Sequence, residues 1–413
     1  MRLPNPSRLI AALAGLVIAF ALAGCVSTAD EKAGGGSAGS GGADCDNGEV
    51  LIGSAMSATG FMAPVDAPAL ETAKAAIEKI NQDGGVLGCK LTLTAVDGES
   101  SSDKEAQIAT DLIGKGAKLM LVTCDYDITA KASQIAQAAG VLVISPCIGD
   151  TIMGPKSGLT LGFSLGSAVP GEAAIMAEYA FKTFGPKAAL FRDMTLKYTQ
   201  SQCNDFETRW KQLGGTVVAD PEFSQTPTGS LAAPVTAQAN DISASGPDVV
   251  ALCSYGGGGA EALAALRRSG EETPVISGFG MDGAYWLGAV PNLSNFYDVT
   301  YASVFGDDPN EQIQTLLKEF KDRTGQDAAT SGLVTGSSSI EAFAKAATDA
   351  NSFDGAALAK ALEAFKDVDL TAGPTSFSPD LHINVTRPMA VIEVQNGEHH
   401  FVTYQAAQQP VEE

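Results

Sequence analysis

Histidine is scarce in this chain: there are three among 413 residues, His382, His399 and His400, all near the C-terminal end. General acid–base catalysis uses histidine more than any other side chain, so enzyme chemistry has little to work with. Metal ligands are short too. No two cysteines stand at the C-x₂₋₄-C spacing of a zinc site, and no cofactor is expected. Positive charge is also lacking. Lysine and arginine number 26 against 48 aspartates and glutamates, for a net charge of −22. A nucleic-acid partner needs a basic face to neutralise phosphates, and this composition argues against one. The acid excess suits solubility outside the cytoplasm. Beyond Leu22 no run is long and apolar enough for a membrane span, which takes about 20 residues.

What is present begins with a leader. Arg2 and Arg8 flank the start of an uncharged apolar run from Leu9 to Leu22, and Leu22-Ala23-Gly24-Cys25 follows at once. Small residues before a cut site mark an export signal over residues 1–24. The tetrapeptide resembles a bacterial lipobox, which implies a lipidated Cys25 and attachment to the membrane through the lipid. Residues 26–43 are rich in Gly, Ser and Ala. They read as a flexible tether with a root-mean-square span of about 25 Å. What remains exceeds one domain of roughly 100–200 residues and predicts two. The cysteines beyond Cys25 are Cys45, Cys89, Cys124, Cys147, Cys203 and Cys253. An even number in an exported chain predicts disulfides, but sequence alone does not choose the pairing.

From Val50 onward, short apolar runs alternate with amphipathic segments. Strands are predicted at Val50–Ala55, Leu91–Val96, Leu119–Thr123 and Val141–Ser145, with helices at Ala67–Gln82, Ser102–Gly114 and Thr129–Ala139. The series then restarts. Strands at Ala188–Arg192, Thr216–Ala219, Val249–Leu252 and Val275–Ser277 alternate with helices at Ala173–Thr183, Thr199–Leu213, Ala232–Ser243 and Gly259–Arg268. Apolar β-branched runs between helices predict βαβ units around buried parallel sheets. The fold class is therefore α/β, with two doubly wound parallel-sheet lobes. Helices at Glu311–Lys321, Gly336–Ala350 and Gly355–Phe365 and strands at Ala390–Val394 and His400–Tyr404 complete the chain.

Three stretches carry a family resemblance: Ile52-Gly53 with Ser57-Ala58-Thr59-Gly60; the block Ala76–Gly88, a helix end running into Asn81-x-x-Gly84-Gly85-x-x-Gly88; and Ala139-Gly140-Val141 leading to Ser145-Pro146. With these the sequence resembles the leucine/isoleucine/valine-binding proteins, type I periplasmic solute-binding proteins of ABC importers. The resemblance runs from about Glu49 to Tyr404. It implies two lobes joined by three crossovers. Lobe one would take residues 44–166 and 300–375, lobe two residues 167–299 and 376–405, and residues 406–413 would form a tail. It also implies a ligand between the lobes, at the carboxyl ends of the strands, and closure by a hinge. In that fold Cys124 and Cys147 end adjacent strands, and Cys45 and Cys89 precede adjacent strands. Cys203 and Cys253 are left in lobe two. The implied bridges are 45–89, 124–147 and 203–253.

The expected cleft residues follow from the strand ends. Lobe one offers Phe61, Asp125, Tyr126, Asp127, Cys147, Ile148, Gly149 and Asp150; lobe two offers Tyr198, Tyr255 and Asp282. By resemblance, Tyr198 and Tyr255 match tyrosines that line the family's pocket, and Asp282 falls close to its ammonium-pairing acid. The family's carboxylate-holding serine and threonine do not carry over. Asp125 or Tyr126 stands in one place and Gly149 or Asp150 in the other, while the family's first-loop tyrosine falls near Val65. Two carboxylates about 4 Å apart at an effective dielectric of about 20 repel by a few kcal/mol. An ordinary branched-chain amino acid is therefore not the expected ligand. Amino acids and their amides, small cationic or polyol solutes, and aromatic acids stacking on Phe61, Tyr126 and Tyr255 are the candidates. Helix-capping is the competing role for each aspartate.

Catalytic motifs lack their context. Gly35-Gly36-Ser37-Ala38-Gly39 matches G-x-S-x-G but sits in the tether. Gly278-Phe279-Gly280-Met281-Asp282-Gly283 matches G-x-G-x-x-G but comes late, with no strand-end acid about 20 residues on. The function expected is therefore not enzymatic. It is a monomeric extracytoplasmic lipoprotein that captures a small molecule and delivers it to ABC permease subunits, the alternative being a ligand-sensing receptor of the same fold.

Overall fold

A computed structural model describes Cys45 and residues 47–412. The export signal, Cys25 and the tether lie outside the described residues. The first sheet forms from β1 (Glu49–Ser54), β2 (Lys90–Ala95), β3 (Leu119–Leu121), β4 (Leu142–Ser145) and β5 (Gly162–Ser164). Its order is β2-β1-β3-β4-β5, and every pairing is parallel. Between these strands run α1 (Ala63–Gln82), α2 (Ser102–Gly114) and α3 (Tyr126–Ala138).

The chain then builds a second sheet. Its elements are α4 (Val169–Thr183), β6 (Lys187–Asp193), α5 (Lys197–Gln212), β7 (Thr216–Ala219), β8 (Glu222–Phe223), α6 (Thr236–Ser245), β9 (Val249–Cys253), α7 (Gly256–Arg268), β10 (Val275–Gly278) and β11 (Phe296–Thr300). After α8 (Glu311–Thr324), α9 (Gly332–Ala350), α10 (Gly355–Glu363) and a small hairpin of β12 (Val368–Leu370) and β13 (Gly373–Thr375), the chain returns as β14 (Met389–Gln395) and β15 (Glu398–Gln405). The second sheet has the order β15-β14-β11-β10-β9-β6-β7, with β8 also on β6. It is parallel from β11 to β7 and antiparallel where β14 and β15 join.

Packing assigns the late helices. One core cluster joins Ile52, Ala69, Leu119 and Ile144 of the first unit to Ile340, Phe343 and Leu358 of α9 and α10. The crossing of α1 and α9 is close enough to require glycine. A Cβ on Gly336 would lie 2.0 Å from the Ala69 carbonyl oxygen. Three connections join the two sheets, at residues 165–168, 301–310 and 376–388. Arg387, buried, ties two of them together: Nη1 donates to the carbonyls of Leu165 (2.6 Å) and Gly166 (3.3 Å), and Nη2 to Thr375 Oγ1 (2.8 Å). Tyr301, from the remaining connection, donates to the Cys147 carbonyl at 3.5 Å.

Several helices begin earlier than the periodicity predicts. α1 starts at Ala63 rather than Ala67, with Pro64 in the first turn, where a missing N–H costs little; Pro68 lies inside the helix, and the Pro64 carbonyl it leaves unbonded accepts from Thr330 Oγ1 at 3.1 Å. α3 starts at Tyr126 rather than Thr129, because Asp125 caps it: Oδ1 accepts from Ile128 N at 3.2 Å. Strands β5, β8, β11, β12 and β13 were not expected. Most are two or three residues long, too short to show a period. Residues 406–412, expected as a tail, lie along α4, where Gln408 N donates to Glu178 Oε2 at 2.8 Å and Val411 N to the Pro170 carbonyl at 3.1 Å.

Candidate binding cleft

The carboxyl ends of the parallel strands from both sheets face one small cavity of about 40 Å³. That is little more than the share of one water, about 30 Å³. The two lobes are therefore closed on each other. Phe61 from lobe one meets Tyr255 from lobe two, with ring centroids 5.5 Å apart. Lys197 at the start of α5 gives both its backbone N (2.8 Å) and its Nζ (2.6 Å) to Asp127 across the cleft. Ser201 Oγ donates to Asp150 Oδ2 at 3.3 Å. Gly149 lies under the Tyr198 ring, where a Cβ would come 3.0 Å from Cε2.

The structure sorts the expected residues into three groups. Phe61, Asp125, Cys147, Tyr198 and Tyr255 line the cavity. Tyr126, Asp127, Ile148, Gly149 and Asp150 line a smaller hollow beside it, which Asp125 and Tyr198 share. Asp282 lines neither. Its Oδ2 accepts the backbone N–H (2.5 Å) and hydroxyl (2.8 Å) of Ser331, and it is buried. Burial raises its carboxyl to about 6. The expected ammonium partner is thus a bolt between the second sheet's loop and the start of α9. Asp150 is also partly spent at home, with Oδ1 accepting from Ile152 N at 3.0 Å.

Met62 and Tyr285 also line the cavity and lie outside the expected loops, whereas Leu196 and Phe279 sit in lobe-two strand-end loops and Val65 stands where the family's first-loop tyrosine falls. Asp66 is the other omission. It is fully buried in the first turn of α1, and its two oxygens accept the backbone N–H groups of Ser57 (2.7 Å) and Cys124 (3.0 Å). Burial raises its carboxyl to about 7 against the pull of those bonds. A helix start read at Ala63, with Pro64 at its head, would have exposed it as a first-turn acid.

Asp125 does two jobs. It caps α3 and presents the one carboxylate among the cavity's lining side chains. Burial, and then Asp127 nearby, raise it to about 7. The Tyr198 hydroxyl faces away from solute: it donates to Glu172 Oε1 (2.7 Å) and accepts from Gln202 Nε2 (2.8 Å) and Gly280 N (3.1 Å). Cys124 and Cys147 are bridged at the cavity wall, with Cα atoms 4.8 Å apart. Cys45–Cys89 closes the opposite end of the first sheet, and Cys203–Cys253 ties α5 to β9. These are the three pairs that the resemblance implied. A larger opening of about 690 Å³ lies outside the cleft between Tyr285, Phe305, Leu317 and Lys321; Tyr285 borders both spaces. Among the described residues, no group of three His, Cys, Asp or Glu is placed to hold a metal.

Two α/β lobes that meet at the carboxyl ends of their strands are the build of a two-lobed solute receptor. The chain belongs to the periplasmic binding protein family, whose model matches residues 49–398. It is 25% identical over 328 residues to Leu/Ile/Val-binding protein homolog 1 of Brucella abortus, covering 76% of this chain and 82% of that one. The fold is shared with the branched-chain amino acid transporter substrate-binding protein LivJ of Streptococcus pneumoniae, solved with isoleucine. The TM-score is 0.74 at 20% identity, covering 87% of this chain and 99% of LivJ. The leucine-binding protein LivK of Thermotoga maritima gives a TM-score of 0.74 at 18% identity, covering 86% and 98%. The chain is a binding protein of type I periplasmic architecture, and its relatives are receptors rather than enzymes.

Proposed function

We propose that this chain is the lipid-anchored receptor of an ABC importer, holding a small solute in the inter-lobe cleft and presenting it to permease subunits. The observation that supports this most is the small cavity at the facing strand ends, with Phe61–Tyr255 across it and Asp127–Lys197 across the hollow beside it. Ligand binds by favouring the closed arrangement over an open one. Cys25 is the acylated residue, residues 1–24 are removed, and residues 26–43 keep the clamp near the membrane. A branched-chain amino acid is not the cargo of this reading, since Asp125 stands where its carboxylate would go.

The test is uptake in a strain lacking the gene, complemented with the wild type or with Cys25→Ala. The wild type should restore uptake of a solute that stabilises the purified protein, and C25A should leave the membrane fraction. Uptake of every stabilising solute at wild-type rate in the deletion strain would refute the importer role.

A further inference from the structure

The cavity's chemistry is lopsided. Four of its side chains are aromatic and converge from both lobes: Phe61, Tyr255, Phe279 and Tyr285. The Tyr198 ring adds a fifth π-face, its hydroxyl engaged by Glu172. Into this box points one carboxylate, Asp125, and no basic side chain lines the cavity. The one lysine in the adjoining hollow, Lys197, is tied to Asp127.

Several backbone donors at these strand ends are already engaged, although α7, which follows Tyr255, starts without a side-chain cap. Ser57 N and Cys124 N go to Asp66, Ile148 N to Ser145 Oγ, Gly280 N to the Tyr198 hydroxyl, and Ile128 N to Asp125. A free carboxylate in the cavity would meet the Asp125 carboxylate. A positive nitrogen would meet an acid and several ring faces, whose quadrupoles attract cations within about 6 Å of the centroid.

Building on the receptor reading, we propose that the cargo is an organic cation without a free carboxylate, an alkyl- or arylamine or a quaternary ammonium. Its charged head sits between Asp125 and the rings, and its body parts Phe61 from Tyr255 as it enters. The surplus of acid over base on the chain draws such a solute to the cleft.

Thermal shift and calorimetry on the exported protein test this with matched skeletons: phenethylamine against phenylalanine and 3-phenylpropionate, isoamylamine against leucine, and choline against glycerol. Amines or choline should raise the melting temperature and bind at least tenfold tighter than their carboxylate-bearing partners. Asp125→Asn retains a side-chain oxygen to cap α3, and Tyr255→Leu retains bulk; each should weaken cation binding tenfold or more. Should one variant not fold, the other carries the test. Tighter binding of leucine, phenylalanine or a polyol overturns the cation assignment and leaves the receptor reading standing. A protein that answers no solute in these panels or in a wider metabolite screen defeats both.

Discussion

The cavity's one lining carboxylate, Asp125, comes from lobe one, while four of its five aromatic rings come from lobe two. Lobe one brings acid: Asp66, Glu105 and Asp125 are buried within its strand ends. Burial pushes the first and last to about 7 and Glu105 to about 8. Lobe two brings four of the five rings, and Tyr198 turns its hydroxyl away to Glu172. The ring face offers contact area that changes little with conditions. The acid face offers charge whose state depends on burial and on what sits beside it. On the proposed cation reading, lobe two sets most of the shape and lobe one sets the sign.

Each face is backed by its own disulfide, which gives the sharpest way to separate them. By loop-closure entropy, losing Cys203–Cys253 behind the ring face should cost about 4 kcal/mol and losing Cys124–Cys147 about 3 kcal/mol. Their sequence separations are 50 and 23. Denaturant unfolding of the paired alanine variants measures both. Only the second pair lines the cavity, so only its loss should also weaken ligand binding. Equal effects on binding would erase the distinction.

Titration probes the buried acids of both lobes next. Asp66, Asp125 and Glu172 sit at about 7 in the folded chain and Glu105 at about 8, against about 4 when unfolded. The folded state then holds protons that the unfolded chain releases. Their contribution is full below about pH 4 and is lost as pH rises through 7 to 8. His399, held down to about 4 by burial, and His382, also lowered, act the opposite way and lose stability as pH falls below 6.5. Four acids outweigh two histidines between pH 6 and 8.5. The melting temperature should be several degrees higher at pH 6, and Asp66→Asn should shrink that difference. A flat profile would place these carboxyls in water.

The smallest effect is expected at the seam. Lys197 and Asp127 are partly exposed, and such pairs contribute about 0–1 kcal/mol. Lys197→Ala should leave the melting temperature nearly unchanged while enlarging the ligand-free molecule in X-ray scattering, as the cleft loses a latch. No change in size would mean that Phe61 and Tyr255 hold it alone.

The alternation of strand and helix was legible because buried parallel strands are continuous apolar runs, such as Val249–Cys253. Strand β5 was not, since Gly162-Phe163-Ser164 has no period to read. The cleft was half legible. Strand-end logic found Phe61, Asp125 and Tyr255, but it could not tell that Asp282 turns toward Ser331, nor that Leu196 and Phe279 turn inward. Side-chain direction at a loop depends on tertiary partners, which spacing does not encode. Asp66 was lost for a local reason: the helix was expected from Ala67, but it starts at Ala63 with Pro64 in its first turn.

Arg387 has a consequence for how the clamp moves. One buried guanidinium holds the carbonyls of Leu165 and Gly166 and the hydroxyl of Thr375, so separate linkers are riveted at a single point. Linkers pinned together cannot flex independently. If the lobes open, these two connections should move together rather than separately.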